Sequence, residues 1–274
     1  MDLFVVGGSG LLGAHVVRRA QRSGARVAAT FHEHPQTTDA DWHPLDLRDQ
    51  QATQALIEQL RPRMVINCAY RKDDRAITAD GAVAVAHGAA QVGAHLVHVS
   101  TDVVFSGARV HYDEDSTPDP ISAYGRAKAF AETAIAGVAP SAVIARTSLI
   151  IADGDSPTEA LVHSLTGGAP GVLFTDEVRC PVHAADLADA LLELAASARS
   201  GIHHVAGADA LSRYDLGVLI ARRDGLDPGS LPQGHRAASG PPGPLDVRLD
   251  CTRTQAVLRT RLRGARQFLA PPTS

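Results

Sequence analysis

Tyr124 and Lys128 lie four residues apart in a segment that begins after Ser122, a residue that can cap a helix. Side chains at that spacing share one face of a helix, so a phenol and an ammonium group would be neighbours. The positive charge favours phenolate and should bring the pKa of the tyrosine closer to neutrality. The pair is therefore a candidate general acid/base, although by itself the same pattern is typical of a half-buried tyrosine beside a surface lysine.

Ser100, Thr101 and Asp102 follow a short apolar run, 96–99, that predicts a strand of a parallel sheet. Ligands of open α/β sheets bind at the carboxyl ends of the strands, which is where these hydroxyl groups would lie. A hydroxyl-bearing strand end, followed some twenty residues later by the tyrosine and lysine, is what a nicotinamide-dependent carbonyl reductase needs.

A glycine-rich turn follows the first predicted strand, 3–6, and precedes a segment with helical spacing. Gly7, Gly10 and Gly13 fit a GxxGxxG spacing, while Gly8 would permit GxGxxG instead. The end of the strand just before the turn favours the first arrangement. Glycines at such a turn let the backbone approach a pyrophosphate at the amide-rich end of a helix, so the turn predicts dinucleotide binding.

The end of the second predicted strand, 27–30, bears on the choice of cofactor. An NAD enzyme usually has an acid there for the ribose 2′-hydroxyl, and only Glu33, which lies late, qualifies. No arginine is placed for a 2′-phosphate either. We therefore expect NADPH or NADH, with NADPH accepted at least as well. His32 and His34 are typical of solvated polar residues, and no metal is predicted.

Two further strand ends should reach the same site. Asp46 follows the third predicted strand and could accept a hydrogen bond from an adenine amino group, although a turn or cap aspartate is an equal alternative. Cys68 and Ala69 follow the fourth predicted strand, 64–67, and should lie on the nicotinamide side.

Strands and helices alternate from the amino terminus through a sixth strand at 142–147, which predicts an α/β fold with a doubly wound, parallel, Rossmann-type sheet. Beyond that strand the alternation of strands and helices becomes irregular. We predict a dinucleotide-binding domain over 1–150 and a smaller substrate-binding lobe over 151–274. Within the second part, roughly 184–206 should return to the Rossmann domain.

The composition of the 274-residue chain, 45% hydrophobic and 20% charged, is that of an ordinary globular protein. The net charge of −4 and pI near 6.3 disfavour nucleic acid and anionic membranes as partners. Three distant cysteines argue against a disulfide framework and for a reducing compartment, and no secretory or membrane-spanning segment is evident. We expect a cytoplasmic protein with a small-molecule substrate. We also consider a homodimer as its oligomeric state.

Five motifs follow one another along the chain: GGSGLLG, NCA, STDVVFSG, YGRAK and RCPVHAADLADAL. The set resembles the extended short-chain dehydrogenase/reductase superfamily and, within it, the dTDP-4-dehydrorhamnose reductase family of sugar-nucleotide reductases. The late segment 245–251 (LDVRLDC) resembles that family's substrate-lobe signature. The resemblance covers most of the chain and implies an NAD(P)H-dependent reductase that delivers hydride to C4 of a nucleotide-linked 4-keto sugar.

The resemblance also implies roles for single residues. Thr101 would hydrogen-bond the substrate carbonyl, Tyr124 would donate the proton, and Lys128 would hold the nicotinamide ribose. The predicted cofactor contacts are Gly7, Gly10, Leu11, Leu12, Gly13, Thr30, His32, Asp46, Leu47, Cys68, Ala69, Ser100, Tyr124 and Lys128. The predicted substrate contacts are Asp102, Val103, Val104, Phe105, Arg179 and Arg248.

Several positions depart from the family pattern. Thr78 stands where the family has an asparagine, Val103 where it often has tyrosine, and Ser106 where it often has aspartate. A nucleotide-sugar epimerase or dehydratase remains an alternative, although a dehydratase would normally have an acid pair after the threonine. A regulatory subunit that binds NAD(P) without turnover is the other alternative.

Overall fold

The computed structural model describes residues 1–239 and 242–270. Seven strands form one parallel sheet in the order β3-β2-β1-β4-β5-β7-β12. These strands are β1 (Leu3–Val6), β2 (Val27–Phe31), β3 (Asp41–Pro44), β4 (Met64–Asn67), β5 (His95–Thr101), β7 (Val143–Thr147) and β12 (Gly201–His204). The predicted doubly wound α/β fold is confirmed.

Helices cover both faces of the sheet, which is why its central strands are apolar throughout rather than alternating. The helices of four residues or more are α1 (Leu11–Arg22), α2 (Gln50–Leu60), α3 (Ala82–Val92), α4 (Ala123–Val138), α5 (Pro157–Thr166), α6 (Ala184–Ala195), α7 (Arg213–Arg223), α8 (Arg236–Ser239), α9 (Thr252–Gln255) and α10 (Ala265–Phe268). A π-helical turn, Ala76–Gly81, leads into α3.

Successive residues of β1 enter different cores. Leu3 and Val5 join the core under α1 and α6, whereas Phe4 and Val6 join the core under α2, α3 and α4. Because side chains alternate across a strand, a four-residue strand buried on both faces serves both layers. The carboxyl ends of β1 and β4 lie side by side, at the point where the strand order reverses.

Strand β5 is longer than the sequence predicted. Ser100 and Thr101 were expected just beyond its end, but both are in the strand because β5 pairs with β7 as far as the Thr101–Thr147 position. The hydroxyl groups still lie at the carboxyl edge of the sheet. A single 3₁₀ turn, Asp102–Val104, then leads the chain away from the sheet.

Short strand pairs build the remaining part of the chain. They are β6 (Val110–Tyr112) with β15 (Val247–Leu249), β8 (Ile150–Ile151) with β11 (Val182–His183), β9 (Leu173–Phe174) with β14 (Gln233–Gly234), and β10 (Val178–Arg179) with β13 (Leu211–Ser212). A second 3₁₀ turn spans Pro228–Ser230. A separate core forms here between α5 and α7, with Val162, Leu216 and Ile220 among its members.

Helix α6 packs on α1, and β12 is the edge strand of the large sheet. The domain boundaries themselves stay a prediction, and residues 240–241 and 271–274 of the predicted lobe lie outside the described residues. Within the described part of the chain, no helix has the length and apolar character needed to cross a membrane.

Candidate active site

A cleft of about 1210 Å³ opens along the carboxyl edge of the sheet and runs toward the α5–α7 core. It is lined by every residue predicted to contact a cofactor: Gly7, Gly10, Leu11, Leu12, Gly13, Thr30, His32, Asp46, Leu47, Cys68, Ala69, Ser100, Tyr124 and Lys128. Of the other predicted site residues, Thr101, Asp102, Val103 and Arg179 also line it. The fold thus brings residues from the whole first half of the chain to one surface.

The glycine turn lies at one end of the cleft. Gly7 has a φ of +76°, and its amide donates to Thr30 Oγ1 at 2.8 Å. A Cβ on Gly13 would lie 2.1 Å from the Gly7 carbonyl oxygen, so only glycine fits there. Gly8 does not line the cleft, because a Cβ on it would point at Ala29. This geometry supports the GxxGxxG spacing.

Helix α1 begins at the glycine turn with its amides exposed to the cleft. Gly10 is its N-cap and provides no side-chain cap, and the first turn carries no acidic residue. The unsatisfied amides of a 12-residue helix and its positive dipole end therefore face open space. That is the environment a pyrophosphate requires.

The adenosine end of the cleft is formed where β2 and β3 end. His32 lines the cleft, but Glu33 does not. Asp46 also lines it, yet its carboxylate is engaged by Arg48, whose backbone amide lies 3.0 Å from Oδ1 and whose Nη1 lies 2.9 Å from Oδ2. The backbone hydrogen bond from Arg48 lowers the pKa of Asp46. Asp46 is thus a turn aspartate that also borders the site.

Tyr124 is half-buried in the first turn of α4 and lines the cleft together with Thr101. The ring of Tyr70, an exposed side chain in the same cleft, lies 5.8 Å from its ring centroid. Burial raises the pKa of Tyr124 above its usual range, and Tyr70 and Asp102 raise it further. The phenol is therefore protonated at neutral pH.

The expectation that Lys128 lowers the pKa of Tyr124 is wrong for the free protein. Lys128 is only 2% exposed, and its Nζ lies 2.5 Å from the Val99 carbonyl oxygen and 3.1 Å from His98 Nε2. The amine is thus held by β5 at the floor of the cleft. Burial lowers the pKa of Lys128 to about 8.

A buried ion pair supports this floor from below. Glu132, one helical turn after Lys128, accepts a hydrogen bond from Ser100 at 2.5 Å and pairs with Arg146 at 2.7 Å. Arg146 is fully buried and lies over the ring of Phe105. Sequence reasoning missed this pair, although the spacing of Tyr124, Lys128 and Glu132 along one helix face was a usable signal.

The opposite end of the cleft is lined by charged groups. Asp102 is buried and accepts a hydrogen bond from Ser148 at 2.6 Å, and burial raises its pKa. Arg179, also buried, lies 3.6 Å from Asp102 and donates to the carbonyl oxygens of Leu245 and Pro244. Arg179 thus joins the β5 end to the carboxyl-terminal segment.

Three predicted substrate contacts do not reach the cleft. Val104 and Phe105 are fully buried, and Phe105 stacks on Tyr112 in a small core under β6 and β15. Arg248 pairs with Asp246 at 2.7 Å and does not line the cleft. The 3₁₀ turn after Thr101 redirects the chain inward, which is why only the first residues of the motif face the site.

Three charged lining residues at this end were not predicted: Glu177, Arg213 and Arg236. Arg236 pairs with Glu177. Arg213 begins α7, and its Nη1 is buried without a hydrogen-bond partner. Nothing in the sequence indicated that Arg213 lines the site.

Thr78, which replaces the family asparagine, lies in the π-helical turn. Its hydroxyl donates to the Arg71 carbonyl oxygen at 2.6 Å and accepts from the Arg71 amide at 2.9 Å. The side chain therefore holds the loop after β4. Within the described part of the chain, it forms no hydrogen bond with Tyr124 or Lys128.

Fold and cleft together define a Rossmann-type protein of the extended short-chain dehydrogenase/reductase superfamily. The family described as "RmlD substrate binding domain" matches residues 1–271, and the chain belongs to it. The predicted family resemblance is confirmed.

Individual proteins show the same likeness. The chain is 31% identical over 245 residues to the dTDP-4-dehydrorhamnose reductase of Mycobacterium tuberculosis, covering 82% of this chain and 76% of the relative. A crystal structure of a hypothetical dTDP-4-dehydrorhamnose reductase from Sulfolobus tokodaii superposes with a TM-score of 0.84 at 27% identity, covering 96% and 97% of the two chains. The Bacillus anthracis reductase, solved in complex with NADP, shares the fold with a TM-score of 0.80 at 22% identity, covering 98% and 96%.

Proposed function

We propose that this protein is an NAD(P)H-dependent reductase that transfers hydride to a keto carbon, C4 of a nucleotide-linked 4-keto sugar. One observation carries the proposal: Thr101 and Tyr124 line a single cleft that joins a glycine turn to an arginine-lined end. The reductase name of the Mycobacterium tuberculosis relative supports the sugar class.

The glycine turn and α1 fit a dinucleotide. The uncapped amides of α1 would hold the pyrophosphate, and Gly10 leaves the space that it needs, since a Cβ there would meet only the Gly7 carbonyl oxygen, at 3.4 Å. When bound, the reduced nicotinamide supplies the hydride. With no free carboxylate at the end of β2, NADPH is accepted at least as well as NADH; the NADP complex of the Bacillus anthracis structure agrees with this.

Tyr124 is the proton donor. Hydride addition to a ketone leaves an alkoxide, which needs a proton from an acid within hydrogen-bond reach. Burial keeps the phenol of Tyr124 protonated, and the adjacent Thr101 hydroxyl can orient the substrate oxygen toward it. Both groups are available in the free protein.

The charged end of the cleft would bind the diphosphate of the sugar nucleotide. Arg213 lines it, and arginine is suited to bidentate contacts with phosphate. Among the described residues, its buried Nη1 has no hydrogen-bond partner. Asp102 pairs with Arg179, and Glu177 pairs with Arg236. The homodimer and the cytoplasmic location stay predictions.

The test is the loss of NAD(P)H absorbance with a panel of nucleotide 4-keto sugars. Tyr124→Phe should lower kcat by about 10² to 10⁴-fold, because it removes the acid while the ring stays in place. NADPH affinity should change little. Tyr214→Phe, at a position that does not line the cleft, is the matched control and should retain activity.

Other outcomes separate the alternatives. An epimerase or dehydratase would convert the sugar without net consumption of NAD(P)H, and a regulatory subunit would show no turnover in the wild type. Near-full activity in Tyr124→Phe would show that another acid supplies the proton.

A further inference from the structure

A buried chain of hydrogen bonds lies behind Lys128 and plays no part in the steps described above. Lys128 Nζ lies 3.1 Å from His98 Nε2, and His98 Nδ1 lies 3.3 Å from Asn67 Nδ2. Asn67 and His98 are 1% and 0% exposed, so water does not satisfy their polar atoms. Each of these contacts must therefore join a donor to an acceptor.

The orientation of Asn67 is set by the backbone. Its Oδ1 accepts a hydrogen bond from the Ala69 amide at 3.0 Å, so its NH₂ group faces His98. An amide NH₂ group can only donate. Nδ1 of His98 is therefore the acceptor, and in the neutral imidazole the ring proton lies on Nε2.

That proton faces Lys128. An uncharged amine accepts it with its lone pair and still has one N–H for the Val99 carbonyl oxygen, 2.5 Å away, and one for the cleft. An ammonium group has no lone pair and would set a donor against the Nε2–H group. With the proton on Nδ1 instead, two donors would meet between His98 and the NH₂ group of Asn67. Turning the Asn67 amide over would then set its NH₂ group against the Ala69 amide, which is again two donors.

We propose that Asn67 and His98 are positioning residues which favour the uncharged amine of Lys128 over its ammonium form in the free protein. The titratable neighbours of Lys128 are Tyr124 and Glu132 on its own helix, Cys68 at the end of β4 and His98 on β5. Glu132 favours the charged form, but Arg146 and Ser100 engage its carboxylate.

Burial acts in the same direction as the hydrogen bonds. It is the main cause that lowers the pKa of Lys128 to about 8, and it holds the pKa of His98 well below its ordinary value. The influence of this lysine on catalysis rests on the proposed function. Its protonation state in the free protein does not, so the two can be tested separately.

The sequence makes a direct measurement simple, because Lys72 and Lys128 are its only lysines. Protein labelled with ¹³Cε,¹⁵Nζ-lysine gives two side-chain signals, and Lys72→Arg identifies the one that belongs to Lys128. We expect Lys128 in the ligand-free protein to titrate at or below pH about 8, well below the ordinary lysine value of about 10.4. A midpoint near the ordinary value would overturn the proposal.

Asn67→Leu separates the hydrogen bonds from burial, because it removes the amide donor while keeping a similar volume. His98 can then carry its proton on Nδ1 and accept from an ammonium group, so the Lys128 midpoint should rise by one pH unit or more. If burial alone sets the state of Lys128, the midpoint should stay or fall, and the proposal fails. Asn67→Ser has the same expected rise, since its hydroxyl can accept from Nδ1–H, and serves if the leucine variant does not fold.

Discussion

Arg213 shows at the scale of single residues how the site differs from what the motifs suggested. Arg213 lines the cleft, and among the described residues its buried Nη1 has no hydrogen-bond partner, whereas Arg248, which the motifs favoured, is paired with Asp246 outside the cleft. A buried guanidinium nitrogen without a partner is unfavourable unless a ligand satisfies it. A phosphate that contacts the Arg213 guanidinium would supply the acceptor that Nη1 lacks.

We expect Arg213→Gln to raise KM for the nucleotide sugar by about 10 to 100-fold, since a hydrogen bond to a charged group contributes about 1.5–3 kcal/mol. NADPH affinity should be unchanged, because the cofactor turn lies at the other end of the cleft. Steady-state kinetics and NADPH fluorescence titration measure the two quantities. Arg248→Gln is the matched control, and an equal rise of KM in both variants would contradict the assignment of Arg213.

At the scale of secondary-structure elements, the glycine turn and α1 together form the proposed pyrophosphate site. Gly13 is restricted by the Gly7 carbonyl oxygen, but Gly10 has open space on the cleft side. A side chain at Gly13 would disturb the turn itself, whereas one at Gly10 would fill the space in front of the helix amides. Glycine is therefore required at position 13 by the packing of the turn, and at position 10 by the space that the proposed ligand needs.

Gly10→Val should abolish measurable NADPH binding while the protein stays folded. The fold should lose only about 1 kcal/mol, because valine is a poorer N-cap than glycine but meets no backbone atom closer than 3.4 Å. Equilibrium NADPH titration and a thermal melt are the measurements. Gly137→Val, near the end of α4 with open space around it, is the control, and unchanged affinity in a folded Gly10→Val variant would refute pyrophosphate binding at this turn.

At the scale of the whole molecule, buried histidines couple stability to pH. His204, at the end of β12, is fully buried, with Nδ1 3.1 Å from the Asp250 carbonyl oxygen and its ring edge toward Phe105. Burial, followed by the charge of Arg146, lowers its pKa to about 4. In the unfolded chain the ordinary value is about 6.5, so the unfolded state binds more protons between these two pH values.

The free energy of unfolding should therefore be highest above pH about 6.5 and fall as the pH is lowered toward about 4, with up to about 3 kcal/mol attributable to His204. His204→Asn keeps a donor for the Asp250 carbonyl oxygen but removes the titrating imidazole, so the loss of stability at low pH should be smaller in the variant. Urea unfolding at a series of pH values measures the free energy of unfolding. Equal pH dependence of the unfolding free energy in variant and wild type would rule out His204 as a source. The pKa values of His15, His98 and His203 are also lowered, so these residues should contribute to any loss that remains in the variant.

The sequence alone determined the fold class, the order of strands and helices in the first half of the chain, and the residues around the cofactor end of the cleft. Those features depend on local signals: apolar runs, glycines at a strand–helix turn, and the four-residue spacing of Tyr124 and Lys128. In a parallel sheet, strand ends from distant segments meet at one edge, so placing residues at strand ends was enough to bring them together.

Only the tertiary structure decided the substrate end and the state of the lysine. Arg213 is the first residue of α7 and lines the cleft, whereas Arg248 lies in β15 and pairs with Asp246 outside the cleft. Lys128 was expected to act on Tyr124, but His98 and Val99, on a strand some thirty residues earlier, hold its amine. Burial and long-range hydrogen bonding set both outcomes, and neither leaves a periodic or spacing signal in the sequence.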